Sequence, residues 1–371
     1  MLWGVGEGLF LTLQPLYIQE LGANPGQVGG VLSVLSLACG LTYIPSGLLG
    51  DRLPRKPLMI GAWLCGPIGV LICVLAQTWQ ALIPGLAVYG FSAFAGPITN
   101  AYLARAAGGK DVERVLSTVV AAYAAGSVLS PLLAGSVQMR IVYLLAVGMF
   151  ALSTIAVACV SPQHPSGRSG WRVDWRLLLD VSFVKFVTVA AWSSFAMYLV
   201  FPLAPNYLTN VRGLNAAQVG AISSLGAAGA AMITLLLGRI RAGKLPWAWL
   251  LGQCLVWVSA VLLLWAPGVA GTALAYVLRG GYLACWPLMQ AKAGRLLGEA
   301  NRGLALGTAL TAMSGAQVLA SLSAGRLYGI QPRWPFVAAL AAIPVGLCLV
   351  ARMAESEQAL GAATLDTEPG H

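Results

Sequence analysis

The chain is short of charge. Asp, Glu, Lys and Arg make up 9% of its 371 residues, where a soluble domain carries about 25%. A chain so poor in charge cannot cover its surface in water, so lipid is its expected solvent. Histidine is almost missing: His164 falls in a polar stretch and His371 is the last residue. No metal cage and no histidine-centred catalytic triad can be assembled from those two, and the spans lack clustered Asp or Glu. No enzyme, no metal and no cofactor is therefore expected. The seven cysteines (Cys39, Cys65, Cys73, Cys159, Cys254, Cys285, Cys348) all fall in apolar runs and form no CxxC. They read as small buried hydrophobes. Acidic residues number 12 against 22 Lys and Arg, a formal charge of +10. The cations stand singly between apolar runs rather than in one patch, which excludes a nucleic-acid partner. A cleavable signal peptide is not expected either, because the first apolar run has no basic start and runs past signal length.

What the chain has is apolar length: 58% hydrophobic residues and a mean hydropathy of +0.79. A spanning helix needs about 20 mostly apolar residues. Twelve runs qualify, at roughly 2–20, 27–49, 58–77, 80–104, 115–137, 141–160, 183–208, 216–238, 247–266, 269–293, 304–327 and 334–352. The chain also repeats itself. Gly22-Ala-Asn24-Pro-Gly-Gln27-Val28-Gly29 returns as Gly213-Leu-Asn215-Ala-Ala-Gln218-Val219-Gly220, a shift of 191. Pro97, Arg105 and Gly135 return as Pro287, Arg295 and Gly325, a shift of 190. The reading is an all-α membrane protein of twelve transmembrane helices, in two six-helix pseudo-repeats (6+6) around a central cavity. Parallel repeats of this kind build transporters. The expected organisation is an N-terminal bundle over 1–160, a linker over 161–182, a C-terminal bundle over 183–352 and a disordered tail over 353–371.

Orientation follows from the cations. Seventeen of the 22 Lys and Arg lie in the loops after spans two, four, six, eight and ten and at the start of the tail, and four lie in the opposite loops. That predicts a multi-pass protein of the cytoplasmic (inner) membrane with the linker and both termini in the cytoplasm. The first span begins at residue 2 without a basic flank, which leaves open a longer natural N-terminus.

The cation left over from that count is Arg279. It lies eleven residues past Gly268, roughly 16 Å along a helix, and Glu7 lies thirteen residues before Glu20, roughly 20 Å along another. Both are thus near mid-bilayer, where an unpaired charge costs at least ~2.5–3.5 kcal/mol. The two are candidates for a coupling pair: Glu7 as the proton-responsive group, with Arg279 nearby lowering its pKa. A static buried pair, or a Glu7 that reaches back to the surface, is the alternative.

Between the second and third spans runs Gly47-Leu-Leu-Gly-Asp51-Arg52-Leu-Pro-Arg55-Lys56. Gly47 permits close helix approach. Asp51 stands where a helix ends and can meet a helix N-terminus or a cation. Arg52, Arg55 and Lys56 are placed for lipid headgroups or for pairing across that face. The segment resembles the loop signature G-x-L-A-D-R-x-G-R-K of the major facilitator superfamily, with Pro54 in place of a glycine. Its counterpart, Gly238-Arg239-Ile-Arg241-Ala242-Gly243-Lys244, has Ala242 at the acidic position, so the resemblance implies a latch on one side only. In the fifth span, Gly126-Ser-Val-Leu-Ser130-Pro131-Leu-Leu-Ala134-Gly135 resembles the G-x-x-x-G-P-x-x-G-G signature of drug:proton antiporters in that family. There it implies a proline-kinked helix governing closure between the halves. The fourth-span arginine common in the family is missing, with Leu86 in its place before Gly90. Gly303, Gly307, Thr311 and Gly315 form a small-residue packing stripe.

Gln14, Tyr17, Tyr123, Trp192, Asn206, Gln253, Trp257, Trp286 and Gln317 lie at depths compatible with a substrate cavity. Few intramembrane charges among many Trp, Ala and Leu suggest a greasy cavity and a lipophilic, cationic solute. The expected function is secondary active transport of a small organic solute by alternating access, as proton-coupled efflux by a monomer in the lipid bilayer, with the small-molecule substrate and protons as its partners. A proton symporter or facilitator for uptake, or a non-transporting sensor on the same fold, are the alternatives.

Overall fold

The computed structural model describes the chain except residues 51, 108–111, 164–174, 241–244, 298–301 and 366–371. Among the described residues every regular element is helical: α1 (Leu2–Thr12), α2 (Gln14–Glu20), α3 (Pro25–Gly50), α4 (Arg55–Leu75), α5 (Leu82–Gly90), α6 (Ala95–Ala106), α7 (Val112–Ser136), α8 (Met139–Ala158), α9 (Val181–Tyr198), α10 (Ala204–Asn210), α11 (Ala216–Gly238), α12 (Leu245–Trp265), α13 (Gly268–Arg279), α14 (Gly281–Leu296), α15 (Arg302–Ile330) and α16 (Trp334–Leu365). Ten spans are long and apolar enough to cross a bilayer as they stand. The broken pairs α1/α2 and α13/α14 supply two more, which gives the twelve spans read from the sequence.

The breaks have local causes. Pro15 and Pro205 lie in the first turns of α2 and α10. A proline there starts a helix well but cannot continue the preceding one. The fourth span passes through a 3₁₀ turn at Phe91–Phe94, and the tenth breaks at Gly280. The last helix differs from expectation. α16 continues to Leu365, so residues 353–365, expected as disordered tail, prolong the last helix, past the span that ends at Glu355. Of the 161–182 linker, residues 164–174 lie outside the described part, and Trp175–Leu179 form a 3₁₀ turn.

The repeated octapeptide is a helix start. Gly22 and Gly213 hold φ of +90° and +71°, which favours glycine. Asn24 accepts from the Gln27 backbone N–H at 2.9 Å while the Gln27 side chain accepts from that of Asn24 at 2.8 Å. Asn215 and Gln218 repeat this box at 2.9 and 3.0 Å. Two otherwise orphaned donors are satisfied at each site.

The glycine closing each copy joins the halves. A Cβ on Gly29 of α3 would collide with the Ser321 carbonyl and Gly325 of α15, and one on Gly220 of α11 would collide with the Pro131 carbonyl and Gly135 of α7. Under the repeat shift, each contact is the image of the other. Further along α3, Gly40 accepts from Thr311 Oγ1 at 2.9 Å, a Cβ on Gly307 would come within 3.0 Å of Ile44, and one on Gly47 within 2.7 Å of the Gly303 carbonyl. The small-residue stripe of α15 is therefore the seam against α3. Only Gly315, with nothing within 4 Å, stands apart from it. Small residues let the backbones approach where lipid supplies no hydrophobic drive. Gly29→Val is expected to lower stability by about 1–3 kcal/mol through overpacking, read as a fall in thermal midpoint. Gly30→Val, where a Cβ meets nothing within 4 Å, should leave the midpoint unchanged.

Candidate functional site

Glu7 lies one turn into α1 and is half-buried. Two tyrosines from different spans donate to it: Tyr89 of α5 to Oε1 at 2.6 Å, and Tyr123 of α7 to Oε2. Tyr89 is held by aromatic packing, at ring separations of 6.3 Å from Trp3, 4.9 Å from Phe10 and 5.5 Å from Phe150. Tyr123 is the open side of this arrangement, 39% exposed.

Arg279 does not pair with Glu7. It ends α13, and its guanidinium lies 4.4 Å from the centroid of Phe201 and 4.0 Å from that of Tyr276. The expected Glu7–Arg279 proximity thus gives way to two separate environments, phenol hydroxyls around the carboxylate and aromatic faces around the cation. Nη1 is buried with no hydrogen-bond partner, and the Tyr276 phenol acts on the guanidinium from close by. Tyr198 at the end of α9 is also within electrostatic reach. Tyr198, Phe201, Tyr282 and Trp286 continue the aromatic wall, with neighbouring centroids 4.9 to 6.3 Å apart. Gln317 of α15 donates to the Tyr282 hydroxyl at 2.5 Å.

One face of α3 runs between the two environments. Cys39 and Tyr43 stand near Glu7, Ser36 and Cys39 near Tyr198, and Tyr43 near Tyr282. Positions 36, 39 and 43 share a helix face, and the seam glycines Gly40 and Gly47 adjoin it. The repeat relates the two environments. A shift of 191 carries Glu7 onto Tyr198, and a shift of 190 carries Tyr89 onto Arg279. Each half thus sets one ionisable residue beside one tyrosine at the same two positions, with the order exchanged.

The fifth-span motif, in α7, serves two neighbours. A Cβ on Gly126 would come within 2.5 Å of the Met1 carbonyl and 2.8 Å of Val5 N in α1. Ser130 donates to the Gly126 carbonyl at 2.9 Å and lies against Gly8. Pro131 and Gly135 face α11. In the loop motif Gly47 makes the close approach expected of it, and Asp51 lies outside the described residues. Arg55 departs from the expected surface role. It is 6% exposed and donates to the Gly50 and Ala101 carbonyls at 3.4 and 3.1 Å and to Gln163 Oε1 at 3.3 Å. It therefore ties the ends of α3 and α6 to the chain after α8. Arg52 closes the turn after α3 through its backbone N–H to Leu49 at 3.1 Å, and Lys56 sits in the first turn of α4.

Of the proposed cavity residues, Tyr123 belongs to the Glu7 environment, and Trp286 and Gln317 belong to the aromatic wall at Tyr282. Asn206 donates to the Pro15 carbonyl at 3.1 Å and to Gln19 Oε1 at 2.5 Å. Gln19 and Asn210 exchange bonds at 3.3 and 3.1 Å, and Asn210 also reaches Tyr328 at 3.4 Å. This amide cluster joins α2 to α10 at the ends away from the basic loops. Gln14 is buried with Nε2 unpartnered, and Tyr17 is buried against the Tyr143 ring at 5.1 Å. The others are no cavity residues. Trp192 and Trp257 donate to the Ala342 and Leu340 carbonyls of α16 at 3.1 Å each on the flank of the second bundle, and Gln253 is wholly buried inside that bundle against Gly346. The sequence reading missed Tyr89, Tyr198, Phe201, Tyr276, Tyr282, Gln19 and Asn210. The equivalences 7/198 and 89/279 were the signal for the first two.

The comparisons agree with this architecture. An uncharacterized MFS-type transporter of Mycobacterium tuberculosis is 30% identical over 223 residues, 56% of this chain and 52% of that protein, so the match spans about half the length of the relative. A multidrug resistance protein B homolog of the same organism is 28% identical over 182 residues, 47% of this chain and 33% of that protein. Among solved structures, the nucleoside transporter NupG superposes with a TM-score of 0.76 at 13% identity, over 96% of each chain. The human organic anion transporter MFSD10 superposes at 0.73 and 15%, over 94% of this chain and 96% of that one. These structures share the fold. The sequence profile described as Major Facilitator Superfamily matches residues 1–285, and with its helical, multi-pass architecture the chain belongs to that family of membrane transporters, not to a family of enzymes.

Proposed function

We propose that this protein exports a small organic solute in exchange for protons, the two halves rocking about the site between Glu7 and Arg279. The observation that carries the reading is the Glu7 carboxylate: half-buried in a spanning helix, without a cationic partner among the described residues, and held by two tyrosine hydroxyls, one of them exposed. An intramembrane acid facing a polar site is the usual mark of an ion path. The fifth-span motif supports the antiport direction by resemblance, and the multidrug resistance homolog among the relatives points the same way. The basic loops support an orientation with the linker and both termini in the cytoplasm, in the inner membrane, with the chain working as a monomer.

The test is counterflow in proteoliposomes across a panel of labelled organic solutes, with and without an imposed pH gradient. Proton movement upon addition of a transported solute is the expected result. Counterflow indifferent to pH would replace antiport by facilitation, and silence across the panel would remove the transport reading.

A further inference from the structure

We infer that the site selects an amphiphilic organic anion, its acidic group bound by Arg279 and its apolar body laid against the aromatic wall of Phe201, Tyr282 and Trp286. This rests on the transport reading above and names its substrate class. The two charged residues of the site are unequally satisfied. The Glu7 carboxylate, an acceptor, already receives two hydroxyl donors. The guanidinium has five N–H donors in a fixed fork that matches a carboxylate, sulfonate or phosphate. It is flanked by ring faces that accept no conventional hydrogen bond, and Nη1 is buried without a partner.

Arg55 and Arg212 do not stand this way. Arg55 donates to two carbonyls and an amide oxygen. Arg212 donates to the Ala266 and Leu263 carbonyls at 3.0 and 2.6 Å. The groups acting on the charge of Arg279 are the phenols of Tyr276 and Tyr198, and no carboxylate is among them. A half-buried cation in a spanning segment, lacking a counterion among the described residues, is completed by an anion that arrives from outside. The flanking rings hold the guanidinium plane in place, so the N–H fork is orientated before the ligand enters. A cationic solute would meet Arg279 as a repelling charge, while each Glu7 oxygen already accepts from one phenol. The cationic preference suggested by the greasy composition therefore reverses.

The probes are naphthylacetate, naphthylacetamide and naphthylethylammonium, which share one apolar body and differ in charge. Binding is read by calorimetry on the protein in nanodiscs, and counterflow is run on the same three. The wild type should bind the acetate about tenfold more tightly than the amide, a difference of about 1.4 kcal/mol, and the ammonium most weakly. Arg279→Gln should bring acetate and amide within about twofold while still binding the amide, which shows that the fold survives. Arg279→Lys should retain part of the preference, since charge remains but the bidentate fork is lost. A tenfold preference surviving in Arg279→Gln, the ammonium binding best, or no binding of any probe would each overturn the inference. Anion preference without counterflow would leave the subsite standing and remove the transport reading. Counterflow of the ammonium or the amide without anion preference would do the opposite.

Discussion

Glu7→Gln will leave equilibrium exchange of substrate running while abolishing accumulation driven by a pH gradient. Glutamine is close to isosteric, and its amide oxygen can still accept from Tyr89 or Tyr123, so the attachment of α1 to α5 and α7 is largely kept. What disappears is the group that takes up and gives up a proton. One pH unit is worth about 1.36 kcal/mol per proton. A carrier exchanging one proton per solute therefore builds about a tenfold gradient per pH unit, and the variant should build none. The groups facing Glu7 are Tyr89, Tyr123, Cys39 and Tyr43. Cysteine and tyrosine have ordinary pKa values of about 8.5 and 10, so none substitutes for a carboxylate near neutral pH. Glu7→Asp should keep coupling at a reduced rate, because a side chain one methylene shorter cannot hold both phenols. The measurement is the ratio of internal to external solute at steady state, with one pH unit imposed. A wild-type ratio in Glu7→Gln would remove Glu7 from the coupling step.

The twelve spans were legible in the sequence because they rest on one-dimensional information, as do the division into halves and the mid-bilayer depth read for Glu7 and Arg279. Span length follows from apolar runs, the halves from the repeat, and depth from counting residues along a helix. The partners were not legible. Counting gives height along a helix but not the direction a side chain faces, so Glu7 and Arg279 could be placed at similar depth while the structure turns them to different neighbours. Facing is usually read from an apolar stripe, and in lipid that stripe vanishes, because the outward face is as greasy as the core. Trp192, Trp257 and Gln253 looked like cavity residues for this reason and belong to the second bundle's flank and interior. The repeat held more than was taken from it. Matching Tyr89 to Arg279 and Glu7 to Tyr198 would have named a site of four residues before any coordinates. The octapeptide shows why some identities recur and others do not. Its Gly, Asn and Gln are fixed by a left-handed turn and a capping box in both copies, whereas positions facing the site are free to differ between halves, and there they carry unlike charge.

Bridging Gln19→Cys to Asn210→Cys with a short, reductant-cleavable thiol reagent will stop transport, and reductant will restore it. In the native protein these side chains hydrogen-bond to one another, and Asn206 donates to Gln19 as well. The bonds join residues separated by 191 positions: Gln19 with Asn210, and the Pro15 carbonyl with Asn206. Because 191 is the repeat shift itself, each bond links a position to its own image, so the cluster lies on the axis relating the halves. Rocking that opens this end must pull each residue from its equivalent, and no rotation about the axis avoids it. A covalent bridge there should hold the end shut and drive flux to background, not merely slow it. The amide bonds alone are neutral, each worth about 0.5–1.5 kcal/mol, so they bias closure while leaving opening accessible. Gln19→Ala should accordingly raise reagent access from this side without abolishing transport. The exposed Cys159, Cys254 and Cys348 must first be replaced by serine so that the bridge is unique. The readout is counterflow before bridging, after it and after reduction. Undiminished flux through the bridged protein would mean that the α2–α10 contact does not part during transport, and solute would then have to pass without the halves separating at this end.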